Sequence, residues 1–370
     1  MSNLRIAYVL PTRDRPERLL HTLSRLDALP AHDAQVIIVD NASRVPASEA
    51  TRGVAGVLPR VFVRLEHNLG AAARNLAVEL TGPSVDWIVM LDDDSSVRSL
   101  EFLARLGAQP ADVGAVMADI FLPRAGTRES GGLPEVFIGC GVAIRREAFL
   151  EAGGYDPAFN YYAEEYDLSA KLLLAGRRVV FEPAFVADHL KDAGNRDMDT
   201  ILARLVRNNG WVMQRYAPEG ERRAELREVR TRYRAIARKE HALRGFGEGL
   251  VELRRTIGEQ ARRAMPREMF DRFIGLAAAR EALQAAHRRS RFSSAALVSP
   301  GKNAGVVRRA LEELGVLIVG EERGERLVIA TMSPGPMLDA AAARAGDARV
   351  IVPWLAGGAA LRAARGPMAA

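Results

Sequence analysis

Short apolar runs alternate with amphipathic stretches along the first 215 residues of the chain. Runs rich in Val, Ile, Leu and aromatic residues predict strands, and stretches with apolar residues every three or four positions predict helices. The predicted strands are Arg5–Leu10, Gln35–Asp40, Val61–Glu66, Asp86–Leu91, Val113–Ala118 and Arg178–Glu182, and the predicted helices are Pro16–Leu26, Ala71–Leu80 and Glu165–Leu174. Strands that alternate with helices indicate a layered α/β domain with a largely parallel sheet.

The pattern changes twice after this region. From about 216 to 290, apolar residues such as Leu226, Val229, Tyr233 and Ile236 recur at helical spacing, with charged residues between them. From about 292 the order βαββαβ returns, with predicted strands at Ala295–Ser299, Val316–Val319, Leu327–Thr331 and Arg349–Val352 and helices beginning at Ala304 and Met337. We therefore predict an α/β domain over 1–215, a basic helical segment over 216–291 and a small Rossmann-like α/β accessory domain over 292–370.

The location of the charge says more than its total. The chain has 52 Lys and Arg against 46 Asp and Glu, a formal charge of +6. Residues 191–290 hold 23 basic and 14 acidic residues, or +9, so the other residues carry −3. The basic helices are either a surface for an anionic membrane or a phosphorylated or lipid-linked acceptor, or a solvated face with alternating charges. No nucleic-acid-binding module is recognisable, so nucleic acid is not expected as a partner.

Cysteine content and hydropathy bear on the compartment. Cys140 is the one cysteine of the chain, which excludes an internal disulfide and favours a reducing compartment. No apolar run approaches the roughly 18 residues of a membrane-spanning helix, and the apolar run near the N-terminus is too short for a signal peptide. The sequence therefore predicts a cytoplasmic protein, with peripheral contact at the inner membrane face through the basic helices as a further expectation.

Four polar segments follow predicted strands, where open α/β sheets bind their ligands. They are Pro11–Arg15, Val39–Ser43, Asn68–Asn75 and Asp92–Asp94. Three adjacent carboxylates at the end of an apolar strand repel one another and are costly to bury, and a divalent cation would remove that penalty. Hard cations such as Mg²⁺ take carboxylate oxygens together with phosphates and water. The alternative is a solvated acidic loop.

The ordered motifs PTRDR, VDNAS, NLGAAARN and LDDDSS, followed by IGCGVAIRR, GGYD and YAEEYDL, are similar to those of family 2 glycosyltransferases. The resemblance covers roughly residues 4–215 and implies the GT-A fold. It also implies a metal-dependent, inverting transfer of a sugar from a UDP- or dTDP-sugar to an acceptor hydroxyl, in a pathway such as cell-surface polysaccharide biosynthesis. The last 80 or so residues carry no recognised resemblance.

The resemblance assigns roles to individual residues. The donor nucleotide would be held by Pro11, Thr12, Arg13, Asp40, Arg74 and Asp93, and Mg²⁺ or Mn²⁺ by Asp92, Asp94 and His189. Several alternatives stay open. The register within Asp92–Asp94 is ambiguous by one residue, Arg74 can be an ordinary surface arginine, and a lone histidine is more often structural than a ligand.

The catalytic base is expected in the acidic cluster before the helix pattern LSAKLLLAG. The family pattern favours Glu165, and Asp167 and Glu164 are the alternatives. The choice stays open because acidic residues are also favourable at a helix start, where they complement the helix dipole. Gly139, Gly141 and Glu164 are assigned to the acceptor and sugar side, and Cys140 is interpreted as a small packing residue. The aromatics Phe159, Tyr161 and Tyr162 either stack on a sugar or belong to the core.

Two other functions fit part of the sequence. A sugar nucleotidyltransferase shares the layering and the acidic site, but usually has a glycine-rich phosphate loop after the first strand, where this chain has PTRDRPER. A non-catalytic nucleotide-sugar-binding protein would not need Asp92–Asp94 together with Glu165. In the accessory domain, Ser299–Lys302 and Ser333–Pro336 each follow a strand and precede a helix, a place where backbone N–H groups can bind anions.

Overall fold

The computed structural model describes residues 4–54, 56–191 and 197–354. Its larger sheet has nine strands in this part of the chain: β1 (Ile6–Thr12), β2 (Ala34–Asp40), β3 (Arg60–Arg64), β4 (Trp87–Met90), β5 (Ser95–Val97), β6 (Val113–Leu122), β7 (Thr127–Arg128), β8 (Val142–Arg145) and β9 (Arg178–His189). Their order is β3-β2-β1-β4-β8-β6-β9-β5, with β7 paired to β6. The strands from β1 to β4 are mutually parallel, whereas β8 runs antiparallel to both of its neighbours.

Helices cover both faces of this sheet. They are α1 (Pro16–Asp27), α2 (Ala47–Ala50), α3 (Ala73–Glu79), α4 (Glu101–Gly107), α5 (Arg146–Glu151), α6 (Glu164–Leu174) and α7 (Met198–Tyr216). Successive side chains of β1 point to opposite faces, as a strand requires. Tyr8 packs with Leu19 and Leu23 of α1 in one core, and Val9 packs with Ala77 of α3 in the other.

The segment after α7 is helical, as the apolar spacing predicts. It comprises α8 (Arg222–Lys239), α9 (Leu243–Thr256), α10 (Arg267–Phe273) and α11 (Leu276–Arg289). Val229 and Tyr233, from the predicted apolar face of α8, are buried. Gly249 lets α9 approach α7 closely, because a Cβ there would lie 2.5 Å from the carbonyl oxygen of Ala203. The indole of Trp211 also donates to Thr256 Oγ1 at 2.8 Å, which ties the same two helices together.

A second, smaller sheet follows. Its strands are β10 (Ser294–Val298), β11 (Leu317–Ile318), β12 (Arg326–Ile329) and β13 (Val350–Ile351), and its helices are α12 (Ala304–Glu313) and α13 (Pro334–Ala343). All four strands are parallel, in the order β11-β10-β12-β13. The predicted βαββαβ pattern and the small parallel α/β unit are therefore confirmed.

The α/β class is also confirmed for the first part of the chain, and the sheet is largely parallel as predicted, since β1–β4, β6 and β9 run in one direction. The antiparallel strands β5, β7 and β8 were not predicted, because they are short or lack a clear alternation. Strand β9 continues to His189 instead of ending at Glu182, and its pairing with β6 shifts register between Ala118 and Asp119. Among the described residues, no helix is both long and apolar enough to cross a membrane.

Candidate active site

The ends of β1 and β4 form one side of a cleft of roughly 290 Å³. Its lining comprises Pro11, Thr12, Arg13, Arg15, Asn41, Arg74, Asp92, Asp93 and Tyr161. Parallel pairing of β1 and β4 brings Thr12 and Asp93 together although they are 81 positions apart, and Thr12 Oγ1 donates to Asp93 Oδ2 at 2.8 Å. The predicted donor-binding residues thus line one cleft, with the exception of Asp40.

Asp40 lies beneath the cleft. It is 2% exposed, and its two carboxylate oxygens accept from the backbone N–H groups of Ser43 and Ala47, each at 2.8 Å. These bonds close the turn after β2 and hold the start of α2. The neighbouring Asn41 lines the cleft instead. Its Oδ1 accepts from Leu69 N at 2.8 Å, and its Nδ2 donates to the carbonyl oxygen of Gly70 at 3.0 Å.

All three adjacent aspartates face cationic side chains, and Asp93 and Asp94 share Arg15. Asp92 pairs with Arg74. Asp93 Oδ1 lies 2.7 Å from Arg15 NH1, and Asp94 pairs with Arg15 NH2 on one oxygen and lies 3.4 Å from His189 Nε2 on the other. The sequence predicts that a metal ion relieves the repulsion and the desolvation cost of these aspartates. In the structure, arginine and histidine side chains offset a large part of that cost.

These neighbours split the pKa values of the aspartates. Burial raises the pKa of Asp93 to about 7, against the opposing charge of Arg15 and the hydrogen bond from Thr12. Burial would also raise the pKa of Asp94, but the hydrogen bond and charge of His189, together with Arg15, lower it to about 2. Asp94 is therefore a carboxylate at any physiological pH, and Asp93 titrates near neutrality.

His189 lies at the end of β9, and antiparallel pairing with β5 places it opposite Ser95, directly after the aspartates. Asp92, Cys140 and His189 each offer a possible metal ligand atom, and these atoms lie within 4.8 Å of one another. Burial would lower the pKa of His189, but Cys140 and the hydrogen bonds with Asp94 and Glu129 raise it well above its usual value.

This donor set fits a divalent cation. The carboxylates of Asp92 and Asp94 are hard oxygen donors suited to Mg²⁺ or Mn²⁺. The imidazole of His189, once a cation displaces its Nε2 proton, is a ligand that transition metals accept more readily than Mg²⁺. Burial raises the pKa of the Cys140 thiol, which keeps it neutral and poorly suited to hard cations. Cys140 is buried, as its interpretation as a packing residue requires, but its Sγ also lies 3.6 Å from His189 Nδ1.

A constrained loop leads into α6. Asn160, Tyr162 and Ala163 all have positive φ, at 61°, 73° and 64°. Such backbone is costly for non-glycine residues and persists where the surroundings enforce it. Gly70 contributes by approaching the Asn160 carbonyl oxygen so closely that a Cβ would overlap it. Asn208 of α7 holds the loop from the other side.

The three acidic residues at the start of α6 differ sharply in environment. Asp167 is fully buried, its carboxylate lies 2.8 Å from Lys171 Nζ and from Arg215 NH1, and it accepts from the Tyr216 hydroxyl at 2.7 Å. These contacts fasten α6 to α7. This environment favours Glu165 over Asp167 as the predicted base.

Glu164 and Glu165 are both destabilised as charged groups. Burial and the charge of Glu165 raise the pKa of Glu164 well above its usual value, and Glu164 Oε2 has no hydrogen-bond partner among the described residues. Burial also raises the pKa of Glu165, against the charges of Lys302 and Arg74. Tyr161 lines the cleft, and Glu164 and Glu165 follow it by three and four residues, so the start of α6 lies close to the cleft.

The predicted acceptor-side glycines have different surroundings. A Cβ at Gly139 would touch Glu165 Cγ at 3.6 Å, so Gly139 lies directly beside the predicted base. A Cβ at Gly141 would lie 2.7 Å from Ile120 Cδ1, which gives Gly141 a packing reason of its own. The aromatics divide in the same way: Phe159 is fully buried against Trp211, and Tyr161 lines the cleft.

The second sheet contacts the region around the site through both of its strand-end loops. Lys302 Nζ lies 4.7 Å from the ring centroid of Tyr166, and burial lowers the pKa of Lys302 to about 8. Ser333 Oγ accepts from Gly131 N at 3.0 Å and donates to the Gly131 carbonyl oxygen at 2.5 Å. Both segments are those singled out in the sequence as possible anion-binding turns.

Sequence reasoning missed four residues at or behind the site: Arg15, Glu129, Cys140 as a neighbour of His189, and Asn208. Arg15 was within reach, because it belongs to the PTRDR motif. Glu129 and Asn208 carry no local signal, since each meets its partner 46 to 60 positions away in the sequence.

The fold is a mixed α/β sheet whose strand-end cleft lies close to a cluster of carboxylates and a histidine. The sequence is more specific. Residues 8–120, from β1 into β6, match the model of glycosyl transferase family 2, so the family predicted from the motifs is confirmed over these residues. No curated protein matches the chain.

Solved structures of glycosyltransferases are similar at low identity. The mannosyltransferase PcManGT from Pyrobaculum calidifontis, in complex with GDP-Man and Mn²⁺, is 18% identical with a TM-score of 0.47, over 78% of this chain and 83% of that one. TarS 1–349 from S. aureus is 12% identical with a TM-score of 0.49, over 84% and 91%. GalNAc-T7 with UDP, GalNAc and Mn²⁺ is 15% identical with a TM-score of 0.48, over 69% and 57%. Likeness at this level does not transfer a donor, an acceptor or a metal.

Proposed function

We propose that this protein is a metal-dependent, inverting glycosyltransferase that uses a UDP- or dTDP-sugar. The observation that carries the proposal is the single cleft that unites Thr12, Arg13 and Arg74 with Asp92 and Asp93, inside the region that matches the family model. The family match favours a transferase over a sugar nucleotidyltransferase. The adjacent glutamates at the start of α6, of which Glu164 is buried and Glu165 half-buried, favour an enzyme over a binding protein that lacks chemistry.

The cleft suits a nucleoside diphosphate. Arg13, Arg15 and Arg74 bring three guanidinium groups to its lining, and guanidinium groups bind phosphate oxygens in pairs. Tyr161 offers an aromatic face at the same lining. Asp92, Asp94 and His189 would hold Mg²⁺ or Mn²⁺, which supplies Lewis-acid stabilisation of the charge that develops on the leaving diphosphate.

Glu165 is the proposed base. In a single displacement, the acceptor oxygen forms a bond to the anomeric carbon, the bond to the diphosphate oxygen breaks, and the hydroxyl proton passes to a Glu165 carboxylate oxygen. A carboxylate with a raised pKa takes that proton more readily than an ordinary one. Attack opposite the leaving group inverts the anomeric carbon. Gly139 presents no side chain beside Glu165, where the acceptor would approach.

The proposal also includes the acceptor and the location expected from the sequence. The acceptor is a carbohydrate, a lipid-linked group or another hydroxyl compound. The location is the cytoplasm, with peripheral membrane contact through the basic helices. The division into a catalytic domain over 1–215, a helical segment over 216–291 and an accessory domain over 292–370 is proposed with them.

The experiment is a donor screen followed by turnover. Thermal stability is measured with UDP-, dTDP- and GDP-sugars, with and without Mn²⁺, and sugar transfer or donor hydrolysis is then measured with the donor that stabilises the protein. Glu165→Gln and Asp94→Ala are compared with Glu151→Gln, a surface carboxylate on α5. We expect loss of turnover in the first two only. Stabilisation by no nucleotide sugar, or undiminished turnover in both site variants, contradicts the proposal.

A further inference from the structure

Glu129 fixes the orientation of His189. It follows β7 and is 4% exposed. Its Oε2 lies 2.9 Å from His189 Nδ1, and its Oε1 lies 2.6 Å from Lys191 Nζ. A carboxylate beside Nδ1 keeps a proton on that nitrogen and turns Nε2 to the other side. Here Nε2 faces Asp94, with 3.4 Å between Nε2 and Asp94 Oδ1.

The segment that carries Glu129 is held by both sheets, because Glu129 N donates to the Ile120 carbonyl oxygen of β6 at 2.8 Å and the second sheet supports it from the other side. Strand β7 has only two residues. Arg128 N donates to Asp339 Oδ2 at 2.8 Å, and Arg128 NH1 pairs with Asp339 Oδ1 at 2.8 Å. Gly335 of α13 lies so close to the Glu129 carbonyl oxygen that a Cβ would overlap it. Helix α13 therefore fits directly onto the backbone that presents Glu129.

Arg128 links this contact to the larger sheet. Its Nε donates to Asp119 Oδ1 at 2.8 Å, and Asp119 and Arg128 are both buried. The chain of contacts thus runs from Asp339 through Arg128 to the sheet and, one residue on, through Glu129 to His189. A displaced α13 would remove the support that Asp339 and Gly335 give to this segment and would loosen the orientation of the imidazole.

We propose that the C-terminal α/β unit, residues 292–354, completes the metal site of the larger sheet, with Glu129 as the positioning residue for His189. This inference rests on the proposed function, because it requires that Asp92, Asp94 and His189 bind a cation. It gives a role to a part of the chain that the family match does not reach. Loss of an outer-shell carboxylate typically weakens metal binding by roughly 10- to 100-fold.

The experiment measures Mn²⁺ binding to the full-length protein from the EPR signal of free Mn²⁺, with and without UDP. Glu129→Ala is expected to weaken binding by about 10- to 100-fold and Glu129→Gln by less, because the amide oxygen still accepts from Nδ1. Glu135→Gln is the matched control. Glu135 pairs with Arg272 at 2.7 Å in the same region of the chain, and its substitution leaves Mn²⁺ binding unchanged.

A double-mutant cycle separates positioning from a general structural effect. If Glu129 acts through His189, then Glu129→Ala has no further effect on Mn²⁺ affinity in a His189→Ala background. If Glu129 acts through general stability, the two losses add. Where Glu129→Ala does not fold, as judged by its melting curve, the same cycle is carried out with Glu129→Gln.

Asp339→Asn tests the contribution of the second sheet. It weakens the anchor on Arg128 and is expected to reduce Mn²⁺ affinity toward the lower end of the same range. Asp347→Asn is its control, because Asp347 pairs with Arg349 at 2.8 Å near the protein surface. A wild-type protein that binds no Mn²⁺ overturns the metal site and this inference together. Wild-type affinity in Glu129→Ala, or additive losses in the cycle, overturn the inference alone.

Discussion

The side-chain amide of Asn208 donates to the carbonyl oxygen of Tyr162 at 2.6 Å. The same nitrogen lies 3.0 Å from the carbonyl oxygens of Phe159 and of Tyr161. A single residue of α7 thus binds three carbonyl oxygens of the loop just before Glu164 and Glu165. Because Tyr162 and Ala163 have positive φ, this loop needs such a restraint to place the two glutamates beside the cleft.

Replacement of Asn208 by Ala removes these bonds from a fully buried position. Carbonyl groups left without a partner in the interior typically cost about 1–3 kcal/mol, so we expect a loss of unfolding free energy of that order. We also expect a lower kcat, because the loop no longer fixes Glu165. Chemical denaturation and steady-state kinetics measure the two effects.

Asn209→Ala is the control for Asn208→Ala. Asn209 is the next residue on α7, is also buried, and bonds the carbonyl oxygen of Leu205 in its own helix at 2.9 Å. It should retain kcat. Equal kcat in Asn208→Ala and the wild type would show that the loop keeps its shape without the amide.

Glu165 and Asp167 are two positions apart, and substitution of each should have opposite consequences. Glu165→Gln should reduce kcat by about 10²- to 10⁴-fold, the usual contribution of a general base, and leave the melting temperature unchanged or higher. Asp167→Ala should cost about 3–5 kcal/mol of stability, because it takes the buried carboxylate from Lys171 and leaves Arg215 with Asp156 alone. Circular dichroism melts and kinetics on both variants are the measurement. A stable, inactive Asp167→Ala would contradict the structural role given to Asp167.

The sequence predicted the site best where a motif follows a strand. Asp92 and Arg74 belong to such motifs, and the parallel strands β1, β2 and β4 bring those motifs to one cleft. Prediction was weaker where tertiary contacts decide the role. The sequence suggests functional carboxylates at Asp40 and Asp167. In the structure, the Asp40 oxygens accept from the backbone of Ser43 and Ala47. An oxygen of Asp167 accepts from Arg215 and Tyr216.

The mixed character of the sheet was beyond the sequence for a related reason. Strand β8 is four residues long and β5 only three, and neither has an alternation that distinguishes it from a loop. Their antiparallel pairing is determined by the strands beside them, β4, β6 and β9. The role of Glu129 likewise depends on Asp339, 211 residues from Arg128, so no local pattern could reveal it.

Lys302 gives a prediction for the pH dependence of stability. Burial lowers its pKa to about 8, below the usual value of about 10.4 for an unfolded chain. Between these two values the unfolded chain binds the extra proton, so the contribution of Lys302 to stability rises with pH from about 8 to about 10.4 and is unfavourable below pH 8. Lys302→Met should therefore stabilise the protein at pH 7, and its advantage over the wild type should shrink as pH rises.

Urea denaturation of both proteins from pH 7 to 10 measures this difference. Lys239→Met is the control, because the Lys239 side chain is 84% exposed. A constant difference between Lys302→Met and the wild type across this range would mean that Lys302 keeps an ordinary pKa.

Cys140 provides the last test, which concerns the choice of metal. Its Sγ lies 3.6 Å from His189 Nδ1, and its thiol is kept neutral by burial, so it contributes little to a hard cation held by Asp92 and Asp94. Cys140→Ala should therefore retain Mn²⁺ affinity and turnover.

A soft cation such as Cd²⁺ favours thiolate and can draw the thiol into coordination, so the same substitution should weaken Cd²⁺ binding by about tenfold or more. Competition of Cd²⁺ with Mn²⁺, followed by EPR in the wild type and in Cys140→Ala, measures both affinities. A large loss of Mn²⁺ affinity in Cys140→Ala would make the thiol a ligand of the working cation. An unchanged affinity for Cd²⁺ would place Cys140 outside the coordination sphere altogether, as the packing residue that its sequence context suggests.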